Sequence, residues 1–92
     1  MDKRFKPLSP IEQLQQRQRV IEQIQSNPDW SFAQVLRHLR TELHLTLPEM
    51  AKLTKVAAQT LTKIEHERSS PTLATVEKIL RPFGLQWRIV SH

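Results

Sequence analysis

Residues 45–65, LTLPEMAKLTKVAAQTLTKIE, decide the fold of this chain. Thr46 and Glu49 have the spacing of a capping box, in which each side chain bonds the other residue's backbone N–H. This pair predicts that a helix begins at Leu47. Pro48 then lies in the first turn, where its missing N–H does little harm. The apolar spacing predicts that three residues lie on the inner face of this helix: Met50, Ala51 and Leu53.

A second short helix is predicted after a break at residues 54–56. Leu61 and Ile64 lie three residues apart on one of its faces, and Val56 anchors the turn. The opposite face carries short, polar or basic side chains: Ala58, Gln59, Thr62, Lys63 and His66. Such side chains can contact base edges or phosphates, although a plain solvated surface can look the same. Two short helices joined by a tight turn are the pattern of a helix-turn-helix, whose second helix enters the major groove of DNA.

Residues 45–84 resemble the Xre/Cro-type helix-turn-helix family, which includes phage repressors and many bacterial antitoxins. The residues that carry the resemblance are Leu45-Thr46, Glu49-Met50-Ala51, Val56, Thr60-Leu61-Thr62-Lys63-Ile64-Glu65, Arg68-Ser69-Ser70-Pro71, Leu73 to Phe83, and Gly84. Residues 32–43 correspond to the family's first helix. The resemblance implies an all-α domain that binds double-stranded DNA.

The resemblance also implies which residues contact DNA. The predicted DNA-binding residues are Thr46, Ala57, Ala58, Gln59, Thr60, Thr62, Lys63, Arg68 and Ser69. Three positions depart from the family pattern: Leu47 replaces a usual Gln, Lys55 a usual Gly, and Ala57 a usual Ser or Thr cap. We therefore expect modest base readout, centred on Gln59, Thr62 and Lys63, with more dependence on phosphate contacts and DNA shape.

Two helices are predicted before this stretch. Capping boxes that begin at Ser9 and Ser31 predict helices over residues 9–25 and 32–43. The first helix has a broken apolar stripe, Ile11, Leu14, Ile21 and Ile24, and is expected to pack on the domain or on a partner. The second is expected to bury Phe32, Val35, Leu36, Leu39 and Leu43, with Arg37, His38 and Arg40 facing outward.

The end of the chain predicts a last helix and a strand. Thr72 caps a helix that is expected to pack through Leu73, Val76, Ile79, Leu80 and Phe83, and Gly84 ends it. Apolar and polar side chains alternate in residues 85–90, which places Leu85, Trp87 and Ile89 on one face of a predicted β-strand. A lone strand is not stable, so we expect it to pair with its copy in a homodimer, as in the Hip-type antitoxins that this ending resembles. The alternative is an irregular tail with Trp87 against the core.

Composition narrows the class of protein. The formal net charge is +5, and residues 32–92 hold nine Lys or Arg against five Asp or Glu, whereas residues 1–31 hold five against four. The basic excess therefore lies with the helix-turn-helix, as phosphate binding requires. The absence of Cys and of an apolar run that could span a membrane predicts a cytoplasmic protein. Without a nucleophile constellation, Gly-rich loop or metal-ligand spacing, we expect no enzyme, metal or cofactor.

The sequence thus predicts a five-helix all-α domain with a short strand that pairs across a dimer. Its parts are a basic arm (1–8), an N-terminal helix and turn (9–30), the helix-turn-helix domain (31–84) and a strand with its tail (85–92). The expected function is repression through a palindromic operator, by the antitoxin of a type II toxin–antitoxin pair that also binds its toxin. The alternatives are a stand-alone regulator and a protein-interaction module with weak DNA binding.

Overall fold

The structure, a computed structural model, describes residues 8–87, and this part of the chain forms five α-helices. They are α1 (Pro10–Gln25), α2 (Phe32–Glu42), α3 (Leu47–Thr54), α4 (Ala58–Glu65) and α5 (Leu73–Leu80), and a 3₁₀ turn (Arg81–Phe83) follows α5. Among residues 8–87 there is no helix with the length and apolarity needed to cross a bilayer. The predicted all-α class and its five helices are confirmed.

Side-chain caps begin four of these helices at the predicted residues. At α3, Glu49 Oε1 accepts the Thr46 N–H at 2.8 Å and Thr46 Oγ1 accepts the Glu49 N–H at 3.2 Å. α1 and α2 begin with the same reciprocal pair, and Thr72 caps α5. The bonds from Thr46 lower the pKa of Glu49. This cap therefore stabilises α3 above the ordinary glutamate pKa and is lost as the pH falls through the lowered value.

The core is formed mainly by α2, α3, α4 and α5. Its buried residues are Val20, Val35, Leu36, Leu39, Leu43, Met50, Val56, Leu61, Ile64, Val76, Ile79, Leu80 and Phe83. Phe32 was expected in the core but is only half-buried at its edge. From α1 only Val20 is buried, although the predicted stripe omitted it. Of that stripe, Ile24 packs against the core, whereas Ile11 and Leu14 are each 69% exposed.

Two leucines that were predicted to face inward are exposed. Leu53 is 46% exposed because Thr54, four residues after Met50, takes the inward position on α3 instead. The Thr54 hydroxyl tolerates burial because it donates to the Met50 carbonyl at 2.8 Å. Leu73 is 61% exposed. It is the first residue of α5, and the buried residues of this helix, Val76, Ile79 and Leu80, come later along it.

The segment after Gly84 follows a left-handed turn. Gly84 has φ +69°, as its predicted role at the end of the last helix requires. Residues 85–87 are not in a strand; Leu85 packs against the core, and the Trp87 ring meets the Phe32 ring edge-on at 5.9 Å. Residues 88–90, including Ile89, lie outside the described residues. The paired strand therefore stays a prediction.

Lys55, at the turn between α3 and α4, has a left-handed backbone with φ +61°. A side chain in this conformation is strained, and glycine removes the strain. Lys55→Gly is therefore expected to raise the free energy of unfolding by up to about 1 kcal/mol, measured by urea denaturation. The matched control is Lys52→Gly, because Lys52 lies inside α3, where glycine costs about 1 kcal/mol. A loss of stability in Lys55→Gly would contradict the expected strain.

Candidate nucleic-acid interface

One face of α4 is open to solvent and the opposite face is buried. Leu61 and Ile64 are 0% and 2% exposed and fix the inner face. Gln59 and Lys63 are exposed, and Thr62 is half-buried between them. Because residues three or four positions apart share a helix face, these three side chains form one outward row. They are the residues that the sequence singled out for base contacts.

A buried ion pair fixes the orientation of α4 against α2. Arg40 Nε lies 2.7 Å from Glu65 Oε2 and Arg40 Nη2 lies 3.0 Å from Glu65 Oε1, so the contact is bidentate. The side chain of Glu65 is 5% exposed and that of Arg40 is 19% exposed. Arg40 also donates to the Leu45 carbonyl at 3.3 Å. The pair therefore joins α2, the start of α3 and the end of α4.

We predicted that Arg37, His38 and Arg40 face outward. The prediction is wrong for Arg40, and the other two side chains also make contacts within the domain. Arg40 turns inward because the Glu65 carboxylate is the partner that compensates its charge. Arg37 is exposed but donates to the backbone carbonyl of Glu65. His38 is half-buried and meets the Trp30 ring at 4.9 Å.

The sequence carries a signal for this ion pair. Glu65 directly follows Ile64 and lies four residues after Leu61, on the buried side of α4. A carboxylate at such a position requires a partner. Arg40, in the last turn of α2, is an available cation.

Hydrogen bonds within α4 limit what its outer face can donate. Thr62 Oγ1 donates to the Ala58 carbonyl at 2.9 Å, so toward a ligand the hydroxyl offers an acceptor and the side chain a methyl group. His66 Nδ1 lies 2.9 Å from the Thr62 carbonyl, which requires a proton on Nδ1. Gln59, whose amide both donates and accepts, is the best-suited side chain of the row for a bidentate contact with adenine.

The other predicted contact residues lie on α4, next to its two ends, or at the start of α3. Ala57 and Thr60 are exposed, and Ala58 is half-buried. Ala57 precedes the helix without a side-chain cap, as expected from its missing hydroxyl. Arg68 and Ser69 lie exposed in the loop after α4, where Arg68 N–H caps the helix by bonding the Lys63 carbonyl at 2.8 Å. Thr46 is exposed at the start of α3, with its hydroxyl already accepting a bond.

The exposed charge around this pair of helices is basic. Four cations are exposed here, Lys52, Lys55, Lys63 and Arg68, against two exposed carboxylates, Glu49 and Glu67, and Glu65 is neutralised by Arg40, so the exposed groups carry a net positive charge. Such a surface attracts a phosphate backbone. Among the described residues there is no group of three or more His, Cys, Asp or Glu that could hold a metal ion.

A comparison with protein families agrees with this geometry. The family model described as helix-turn-helix matches residues 36–89, more than half of the chain. The match covers α3, α4, α5 and most of α2, and leaves α1 outside. Comparisons with curated proteins and with solved structures gave no match. The chain therefore belongs to the Xre/Cro-type helix-turn-helix family of DNA-binding transcriptional regulators.

Proposed function

We propose that this regulator is a repressor that reads a palindromic operator with α4 in the major groove. The observation that carries the proposal is the row of Gln59, Thr62 and Lys63 on a helix whose other face is locked by Arg40 and Glu65. A reading helix has to be held rigidly if its side chains are to meet base edges in register. The exposed lysines nearby supply the phosphate contacts that position it.

Gln59→Ala is expected to weaken binding to the operator by about 1–3 kcal/mol and to leave binding to random duplex DNA unchanged. The reason is that the exposed Gln59 amide offers both a donor and an acceptor to one base, and alanine offers neither. The operator is first obtained by selection from random duplexes, and affinities are then measured by fluorescence anisotropy at one fixed salt concentration.

Arg68→Ala is the matched control, because Arg68 is an exposed cation in the loop directly after α4 and lies outside the base-reading row. A cation that contacts phosphate contributes equally to all DNA sequences, so the affinities for operator and for random duplex both fall, and the salt dependence decreases by about one phosphate contact. If Gln59→Ala weakened specific and random duplexes equally, base readout by Gln59 would be wrong.

We further propose that two copies bind the operator together, paired through residues 85–90. The two reading helices would then contact half-sites about 34 Å apart, one turn of DNA. Exposed Trp87, at 48%, and the alternation that continues through Ile89 support this proposal. In such a dimer the two strands would form backbone hydrogen bonds with each other.

Deletion of residues 88–92 is expected to weaken dimerisation at least tenfold, measured by sedimentation equilibrium. This truncation keeps the contact of Trp87 with Phe32 and the packing of Leu85. The unfolding midpoint at a fixed low protein concentration reports whether each copy still folds. A truncated chain that dimerises as tightly as the full chain would rule out pairing through this segment.

A second candidate function is that the regulator is also the antitoxin of a type II pair, repressing its own operon and binding its toxin. The favouring observation is α1, which lies outside the family match and exposes Ile11 and Leu14 to solvent. The test is co-expression with the product of the neighbouring gene. A toxic product that is rescued and copurified by this protein would support the role, and a harmless, unbound product would contradict it.

A further inference from the structure

A groove with mainly apolar walls lies between α1, α3 and the 3₁₀ turn, away from the reading row of α4. Its volume is about 410 Å³. Its walls include Leu14, Leu43, Leu45, Leu53 and Phe83, and Arg17 is its charged lining residue. Leu14 and Leu53 are 69% and 46% exposed, so the groove is open along two of its edges.

The apolar surface continues past the groove along α1. Ile11 lies three residues before Leu14 and is also 69% exposed. A small ligand in a pocket is normally 70–90% buried, and one seated in this open groove would leave Ile11 uncovered. An extended partner surface can cover both. A helix that lays an apolar face into a groove is a common mode of this kind.

Arg17 gives the groove a charge preference. Its Nη2 donates to the Pro82 carbonyl, and its Cζ lies 5.6 Å from the centre of the Phe83 ring. These contacts hold the guanidinium at the groove wall. A guanidinium has five N–H donors, and within residues 8–87 the Pro82 carbonyl is the one acceptor that bonds Arg17. The described residues that line the groove include no carboxylate.

We propose that this groove binds an amphipathic helix of a partner protein, whose apolar face carries an Asp or Glu that pairs with Arg17. Apolar side chains of the partner cover Leu14 and Leu53, and its carboxylate accepts from the guanidinium in the partly desolvated wall. This inference rests on the proposed function, in which the regulator also binds a toxin. The test of the groove uses neither a toxin nor DNA, so helix binding in the groove and the proposed function can fail separately.

The test is selection of a random helical peptide library on the full-length protein, followed by affinity measurements on purified variants. Selected peptides are expected to have apolar residues spaced by three and four, with an Asp or Glu beside them. Leu14→Gln and Arg17→Gln are each expected to weaken their binding at least tenfold. Gln15→Ala is the matched control, because Gln15 is an exposed neighbour on α1 that does not line the groove.

Folding and self-association are measured on the same variants. Leu14→Gln is expected to keep the wild-type unfolding midpoint, because Leu14 is largely exposed. Three outcomes would overturn the proposal: no enrichment, basic peptides in place of acidic ones, or equal binding by Leu14→Gln. If Leu14→Gln instead abolishes self-association of the free protein, a second copy occupies the groove and the proposal is also wrong.

Discussion

Arg40→Leu is expected to lower the free energy of unfolding by about 3–5 kcal/mol. The substitution leaves the Glu65 carboxylate with 5% exposure and without its bidentate partner. It also removes the bond to the Leu45 carbonyl at the start of α3. An uncompensated buried charge costs far more than a lost surface ion pair. For a domain of this size, such a loss is a large part of its total stability.

Urea denaturation of four proteins measures this effect: the wild type, Arg40→Leu, Glu65→Leu and the double variant. The double variant removes both charges, so it is expected to be more stable than the summed single effects predict. Arg81→Leu is the matched control, because Arg81 is exposed, and is expected to change stability by less than about 0.5 kcal/mol. If the two single effects simply added, Arg40 and Glu65 would not be coupled.

The double variant also separates stability from recognition. If the ion pair sets the orientation of α4, the folded double variant is expected to bind the operator more weakly than the wild type. The operator affinities of the double variant and the wild type are compared without urea, where both proteins are folded. Unchanged operator affinity would mean that the packing of Leu61 and Ile64 is enough to orient the reading helix.

The helix starts could be predicted from sequence because a cap is a local pattern. The hydroxyl of Ser9, Ser31 or Thr46 accepts the backbone N–H three residues later, and the side chain there accepts the N–H of the cap residue, all within one turn. The left-handed backbone at Gly84 was likewise predictable from the residue type alone. These features depend on neighbours in the chain, so the rest of the fold has little influence on them.

The ion pair and the exposed leucines depend on contacts between distant residues. Arg40 and Glu65 are 25 residues apart, and helix periodicity cannot pair them. Periodicity alone also favours Leu53 over Thr54 for the core, since it takes no account of the bond from the Thr54 hydroxyl to Met50. On the outward face of α4, which is proposed to contact DNA bases, the sequence alone identified the row of Gln59, Thr62 and Lys63. The structure adds that the Thr62 hydroxyl already donates within α4.

Leu61→Ala is expected to lower the free energy of unfolding by about 2–5 kcal/mol. Leu61 is 0% exposed and belongs to the main core cluster, so alanine leaves a cavity beneath the reading face of α4. Leu53→Ala is the matched control, because it makes the same change on α3 at a side chain that is 46% exposed. We expect it to cost about 1 kcal/mol or less, since nearly half of the Leu53 surface is already exposed and less buried surface is lost than at Leu61.

Operator DNA tests whether Leu61→Ala disturbs the reading face of α4 as well as the core. A ligand that binds only the folded state stabilises it by about 2.7 kcal/mol at one hundred times its dissociation constant. Operator DNA is therefore expected to raise the melting temperature of Leu61→Ala and to recover much of the loss, provided that α4 keeps its native orientation above the cavity. Differential scanning fluorimetry with operator and with random duplex measures this recovery. If operator DNA gave Leu61→Ala no protection while still protecting Leu53→Ala, the cavity would have displaced α4 itself. The packing of Leu61 would then be part of the reading surface as well as of the core.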